Sequence, residues 1–466
     1  MTTLLDPAQM GQVSLVATIT ALFALLLVNP VGMFVNRRLH KWAETGALRP
    51  RLHAFFVYLI FVAVLSGSIV GLAAWGGRME VGMTFGALAA LVGGSLLFNT
   101  IIQTFVPSLN MLGRIRLFVV LTISGLVLNL ALSVAFVRIF GPSAFLWLGG
   151  AVVGQALLSA LAYRLFFQDI STGPLWAAIN RDQLKRLVAF SWPVAIAVGL
   201  AWAQMQGYRF LIAKQEGLTA LGLFTAGYGL AAAMISAIEQ ILTSWFQPAF
   251  YRAANSDDPP THDGAWRQYA GAMLPLSIVG LLALVSSARD LVALMLGPAF
   301  QSVTTYVELG AVAECTRVWV GVFTLAAHLK LKTRLLLMPG AVGTLLTLSL
   351  MHFLLPLYGL DVAPLAVAAG GLVICAYLFL SAVKPDAAKL PVRGLLIAVI
   401  AGSAGVVLTA LVRPALYPLG ALMHPAAIAL SAAMFAPLAW YFMHLERTGQ
   451  PRPARKGPRR WAGRQP

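Results

Sequence analysis

Charge is scarce in this chain, and negative charge scarcest. Of 466 residues only 11% are charged, and sixteen are Asp or Glu against thirty-three Lys or Arg. A soluble domain carries about 25% charged residues, so a chain wetted over its whole surface is excluded. Cysteine is nearly absent: Cys315 and Cys375 lie inside apolar runs and support neither a disulfide framework nor a CxxC metal site. The seven histidines are scattered, without HxxxH or HExxH spacing, so no metal centre and no cofactor is expected. A cleavable leader is not evident, because the first apolar run is too long and no basic residue precedes it. No connection between apolar runs exceeds about 20 residues, which leaves no room for a soluble catalytic domain and argues against an enzyme.

What is present is hydrocarbon. Hydrophobic residues make up 59% and the mean hydropathy is +0.82. Runs of about 20 apolar residues, enough to cross roughly 30 Å of hydrocarbon as helix, recur from end to end. Thirteen spanning segments are read at 9–35, 52–76, 83–109, 115–139, 143–166, 184–213, 218–248, 265–287, 301–328, 332–356, 360–383, 391–412 and 418–443. The runs are too long for barrel strands and do not alternate. The fold class expected is therefore an all-α integral membrane protein of about 13 transmembrane helices.

The net charge of +17 does not point to nucleic acid, since no basic residue is interleaved with an aromatic platform. It points to topology. With thirteen spans, 26 of the 33 Lys and Arg fall on one side, five (Arg78, Arg138, Lys214, Arg289 and Arg413) on the other, and Arg209 and Arg317 within segments. By the positive-inside rule the N-terminus of this chain is outside and the C-terminus is cytoplasmic. The tail RTGQPRPARKGPRRWAGRQP is rich in Pro, Gly and Arg. It reads as a disordered basic segment (446–466) attracted to anionic membrane lipids.

An internal repeat is visible. PAQMGQVSLVATITAL (7–22) aligns with LTALGLFTAGYGLAAA (218–233), placing Gly11 on Gly222 and Ser14 on Thr225. Each run then ends in a Pro and basic residues, NPVGMFVNRR and QPAFYRAAN. A complete apolar segment precedes Leu218, whereas six residues precede Pro7.

Several stretches resemble, in order, the Wzx-like oligosaccharide flippases, polysaccharide exporters of the MOP superfamily that also holds MATE transporters and the peptidoglycan lipid flippase. SWPVAIAVGLAWAQMQGYRFLIAKQEGLTALGLFTAGYGLA (191–231) looks like their seventh helix and the hairpin after it. FQPAFYRAAN, RDLVALMLGPAFQSV and FLLPLYGLDVAPLAVAAG are similar to later landmarks. Gly207 stands where the family often has an Asp two residues before the Arg, here Arg209. The resemblance implies up to fourteen helices with both termini cytoplasmic. Thirteen with an outside N-terminus is that pattern without its first helix, so MTTLLDPAQMGQVSL reads as an outer loop and an apolar helix is expected to be encoded upstream of Met1.

The implied organisation is two pseudo-symmetric bundles, 1–168 (five helices, one short of six) and 182–383 (six helices), with an extra helix pair at 384–445. The implied function is flipping of polyprenyl-pyrophosphate-linked oligosaccharide across the bacterial inner membrane by alternating access, for surface or exopolysaccharide synthesis. The alternatives are a MATE-like small-molecule or ion antiporter and, in a different class, a membrane polysaccharide polymerase or glycosyltransferase.

Charge inside hydrocarbon costs about 2.5–3.5 kcal/mol on insertion scales, so intramembrane ionisable groups are the site candidates. Glu239, in AMISAIEQILTSW, is a coupling site for a cation (H+ or Na+), a partner for a cavity Arg, or an interhelical hydrogen bond. Glu314 and Arg317, at i and i+3, can pair on one helix. Arg209 lies near the outer end, where it can snorkel or hold substrate. Asn129 and Gln155, with Asn99, Gln103, Gln204 and Gln206, either line a sugar-wetted cavity or bond between helices. Arg37, Arg38, Arg114 and Arg116 gather at the inner face, as topology determinants or as bidentate partners for a pyrophosphate.

Overall fold

A computed structural model describes residues 1–36, 38–76, 82–111, 113–167, 181–254, 259–329, 337–383 and 390–448. Among the described residues there is no strand. The first half comprises α1 (Pro7–Phe23), α2 (Asn29–Asn36), the short α3 (Leu39–Glu44), α4 (Leu48–Trp75), α5 (Phe85–Met111), α6 (Ile115–Phe140) and α7 (Ala144–Phe167). Then follow α8 (Arg181–Gln206), α9 (Tyr208–Gln215), α10 (Gly217–Ala254), α11 (Pro259–Met295), α12 (Thr304–Leu329), α13 (Leu337–Tyr358) and α14 (Val362–Leu378). Last come α15 (Val392–Val412) and α16 (Met423–Thr448).

Twelve continuous helical stretches are long and apolar enough to span a bilayer. One of them, Leu337–Ser381, is really two. At Gly359, with φ +71°, the chain reverses through a short 3-10 turn. Thr347 on α13 then donates a hydrogen bond to the carbonyl of Ala366 on α14 at 3.2 Å. Counted as helices that cross, the described residues hold thirteen, as the hydropathy pattern predicts.

Glycine decides how the hairpins close. Without a hydrophobic drive between helices in lipid, small residues supply contact by letting backbones approach. On α4 and α5, Gly67 faces the Ala89 carbonyl and Gly93 faces the Ala63 carbonyl. On α6 and α7, a Cβ at Gly150 would meet Ser133 Cα at 2.7 Å. The outer surfaces of these hairpins are large and apolar, for example Phe61, Val64, Val127 and Leu130, as lipid contact requires.

The chain start is a designed helix beginning. Asp6 caps α1, accepting from Gln9 N at 2.8 Å, while Gln9 Oε1 accepts from Asp6 N at 3.4 Å, and Pro7 takes the first helical position. This is a capping box, legible as D-P-x-Q. The Gln9 amide also donates to the Pro142 carbonyl in the α6–α7 turn at 2.8 Å. Thr2 Oγ1 accepts from Gly297 N after α11 at 3.1 Å. The first nine residues thus join turns from both halves of the chain.

Between α1 and α2 the helix widens into a π-turn at Ala24–Val28. Such a turn disturbs the backbone ladder, and the Tyr58 hydroxyl on α4 donates to the Leu27 carbonyl there at 2.7 Å.

Helices α15 and α16 pack on α11. Their polar tie was not foreseen. Asp290 on α11, 1% exposed, accepts from Arg413 Nη2 at 2.7 Å and contacts His424 Nδ1 at 2.8 Å. Removing one partner of a buried ion pair costs about 3–5 kcal/mol. Arg413→Gln is therefore expected to lower the thermal unfolding midpoint of the solubilised protein more than Asp290→Asn does, because it strands the buried Asp290 carboxylate, whereas Asp290→Asn strands an Arg413 guanidinium that keeps some access to water. Equal midpoints for Asp290→Asn and the parent would refute this role.

Candidate functional site

The two aligned glycines meet. Helices α1 and α10 cross at one end of the protein, with Gly11 against the carbonyl of Leu218 and Gly222 against the carbonyl of Pro7. In the repeat, Gly11 corresponds to Gly222 and Pro7 to Leu218. The contact is thus reciprocal, the form expected about a two-fold axis. A Cβ at either glycine would fall within the opposing carbonyl group. Glycine's missing side chain is what lets this end close.

One turn below the crossing, Ser14 and Thr18 of α1 are buried and receive Arg209 from α9. Arg209 Nη1 donates to Thr18 Oγ1 at 3.2 Å and reaches Ser14 Oγ at 3.5 Å. The guanidinium turns onto the facing helix rather than out along the surface. Gly207 separates α8 from α9 with a helical backbone, φ −62° and ψ −29°. Arg209 Nε and the Tyr208 hydroxyl are both buried without a hydrogen-bond partner among the described residues.

The densest charge lies between α10 and α12. These helices run alongside each other because Gly227 and Gly310 admit close contacts with Tyr306 and Tyr228. Arg317 Nε donates to Glu314 Oε2 at 2.6 Å, and Arg317 Nη2 donates to Glu239 Oε2 at 2.8 Å. Ser236 Oγ lies 3.3 Å from the same Nη2. The Tyr228 hydroxyl donates to Glu314 Oε1 at 2.9 Å. The i, i+3 pair expected from the sequence is therefore present, and Glu239 has the arginine partner that was one of its three readings.

The three charged groups differ in access. The Glu314 side chain is 5% exposed, whereas Arg317 and Glu239 are 29% and 28% exposed. Beside Glu239, α10 exposes a strip of Gly229, Ala233, Ser236, Ala237, Gln240 and Ser244, bordered by the exposed Ile241 and Trp245. A stripe of small and hydroxyl-bearing residues is unlike the large apolar stripes of α4 and α6. It fits a wetted interior face, where intramembrane polar groups belong.

The other expected residues stand apart from this cluster. Asn129 and Gln155 lie on α6 and α7, where Gly154 packs onto Asn129, and their side-chain oxygens are buried without partners among the described residues. Arg114 Nη1 donates to the Leu165 carbonyl at 3.2 Å, capping the end of α7. Arg38 stacks over the Phe34 ring, 4.1 Å from its centroid. Arg116 is exposed in the first turn of α6. Arg37 and residues 449–466 of the basic tail lie outside the described residues. A cleft of about 410 Å³ opens near Thr2, Asp6 and Pro142, where the one ionisable group, Asp6, serves as the helix cap. Among the described residues, no group of three or more His, Cys, Asp or Glu could hold a metal.

Tyr228 is the member that sequence reasoning missed. It ends the stretch GLFTAGY (222–228), one helical turn past Phe224 and Thr225. That spacing does signal a hydroxyl on the face that α12 covers.

Comparison with known proteins agrees with this geometry. The protein is similar in structure to the lipid II flippase MurJ in an inward closed conformation, with a TM-score of 0.65, 10% identity, and coverage of 94% of this chain and 92% of that one. It is also similar to an inward-facing multidrug resistance MATE family transporter of the MOP superfamily, with a TM-score of 0.59, 14% identity, and coverage of 83% and 89%. At these identities the likeness concerns the fold. No curated protein matches the sequence. A family model described as "Polysaccharide biosynthesis protein" matches residues 1–304, which take in α1 to α11 and so both crossing glycines. The chain is a multi-pass membrane protein that shares its fold with these two structures, and it belongs to the polysaccharide biosynthesis protein family.

Proposed function

We propose that the protein flips polyprenyl-pyrophosphate-linked oligosaccharide across the bacterial inner membrane by alternating access, and is not an enzyme. The observation that carries this is that one helix, α10, is sealed at Gly222 and open along its polar stripe from Gly229 to Ser244. Taken with the charge asymmetry, the sealed end is outside and the open stripe faces a path from the cytoplasm. The family description supports a glycan cargo. A polar headgroup would travel beside α10 while its lipid tail stays in the bilayer, and rocking of 1–168 against 182–383 would exchange access. Glu239, at the border of the stripe, is the proposed coupling site for H+ or Na+.

Proteoliposomes test the reading. A polyprenyl-pyrophosphate-linked oligosaccharide, loaded on both leaflets, is expected to become fully cleavable by an external glycosidase when the protein is present, and only about half cleavable when it is absent. If cleavage stays at half while the protein expels cationic dyes, the antiporter reading replaces this one. Lengthening of the glycan would indicate a polymerase.

A further inference from the structure

We propose that Arg317 and Ser236 form an oxyanion subsite that Glu239 masks and a proton unmasks. Arg317 is held at two points with different access. Its Nε is fixed to Glu314, which is buried and itself fixed by Tyr228. Its Nη2 points to the accessible side, where Glu239 and Ser236 are its partners. Protonating Glu239 removes the ionic partner of Nη2 without disturbing the buried anchor. What remains is a guanidinium edge, a serine hydroxyl and a neutral carboxyl group that can itself donate. An oxyanion accepts from all three.

The charge count makes the two events cooperative. Glu239, Glu314 and Arg317 together carry a formal charge of one negative unit. Among the described residues, the titratable groups around the cluster are the phenols of Tyr228, which bonds Glu314, and Tyr269 on α11, which faces Glu239. An anion arriving at Nη2 would lie beside the Glu239 carboxylate, and like charges at that separation repel strongly where water is scarce. Proton uptake at Glu239 and oxyanion binding at Arg317 therefore favour each other, by the reciprocity of linked equilibria. The oxyanion is a phosphate or sulfate group. Its identity as the pyrophosphate of a lipid-linked glycan rests on the function proposed above.

Binding to the full-length protein tests the subsite, with two probes whose charge is constant from pH 5.5 to 8. One is radiolabelled sulfate, added to detergent-solubilised protein. The other is a polyprenyl-pyrophosphate-linked sugar in nanodiscs. Sulfate is expected to bind the parent at least tenfold more tightly at pH 5.5 than at pH 8. Glu239→Gln is expected to bind at least tenfold more tightly than the parent at pH 8, with the pH dependence gone. Arg317→Gln is expected to lose binding at both pH values. Arg317→Lys, which keeps charge without the two-sided fork, is expected to bind at least tenfold more weakly, and it serves if Arg317→Gln does not fold. An unchanged pH dependence in Glu239→Gln, or parental binding in either Arg317 variant, overturns the subsite. If sulfate follows this pattern and the lipid-linked sugar does not, the subsite stands for free oxyanions and the flippase reading falls.

Discussion

Gly222→Ala is expected to reduce transport by more than tenfold, although it adds a single methyl group. By intrinsic propensity the change favours α10, since Ala is better than Gly in a helix interior by about 1 kcal/mol. Any loss must therefore come from the contact. A methyl at this position would lie within the Pro7 carbonyl, so α1 and α10 have to separate. Neither partner can yield, because both obstacles are backbone. Gly11→Ala meets the Leu218 carbonyl in the same way and is expected to match it. A cysteine in place of Thr225, a residue buried one turn below the crossing, provides a second readout. It is expected to react with an impermeant maleimide from outside in the Gly222→Ala background and to stay unreactive with Gly222 intact. Full transport by Gly222→Ala, with Thr225→Cys unreactive, would remove the crossing from the gate.

That contact was legible in the sequence in one respect and hidden in another. The alignment of residues 7–22 with 218–233 pairs Gly11 with Gly222 by position in a repeat. It does not say that the pair touches. Repeat-related residues meet only where they lie on the axis relating the repeats, and the axis is a property of packing. The same limit explains the cluster on α10 and α12. Glu314 and Arg317 share a helix, so i, i+3 spacing was enough to pair them. Glu239 and Arg317 are joined across helices by the register that Gly227 and Gly310 permit, which no local pattern encodes. Asp290 was passed over because RDLVALMLGPAF reads as the approach to an outer loop. Its partners lie far along the chain, Arg413 after α15 and His424 in the first turn of α16. Hydropathy, by contrast, is a local sum, and the thirteen helices follow from it, including the α13–α14 turn at Gly359.

Arg209 shows how a facing helix redirects a side chain. Its place in the 184–213 segment leaves it near the outer end, with snorkelling as its easiest satisfaction. The hydroxyls of Ser14 and Thr18 on α1 hold the guanidinium instead. It thereby bonds across the seam beneath the glycine crossing. When α1 and α10 part, Arg209 must lose these hydroxyls, so closure of that end and the partners of Arg209 change together.

The carboxylates of the ionic cluster are expected to separate function from stability. Glu239→Gln should abolish transport while leaving the amount of protein in the membrane unchanged. Glu314→Gln should lower that amount. The argument rests on access. Glu314 is 5% exposed and serves both Arg317 Nε and the Tyr228 hydroxyl. Its neutralisation takes the buried ionic partner from Arg317 Nε and weakens the acceptor of the Tyr228 hydroxyl, although Arg317 keeps Glu239; a loss of about 1–3 kcal/mol is a sizeable share of the roughly 5–15 kcal/mol that holds typical proteins folded. Glu239 is 28% exposed, and Arg317 retains Glu314 when Glu239 is neutralised, so the fold loses little. What disappears is the ability to alternate between a charged and a neutral group. A variant frozen in the neutral form can accept an anion but cannot expel it by re-ionising, and the cycle stops with cargo bound. Membrane abundance by immunoblot and flipping in proteoliposomes measure the two quantities separately. Normal flipping by Glu239→Gln would exclude Glu239 as the coupling group, and normal abundance of Glu314→Gln would show that the buried half of the cluster does not support the fold.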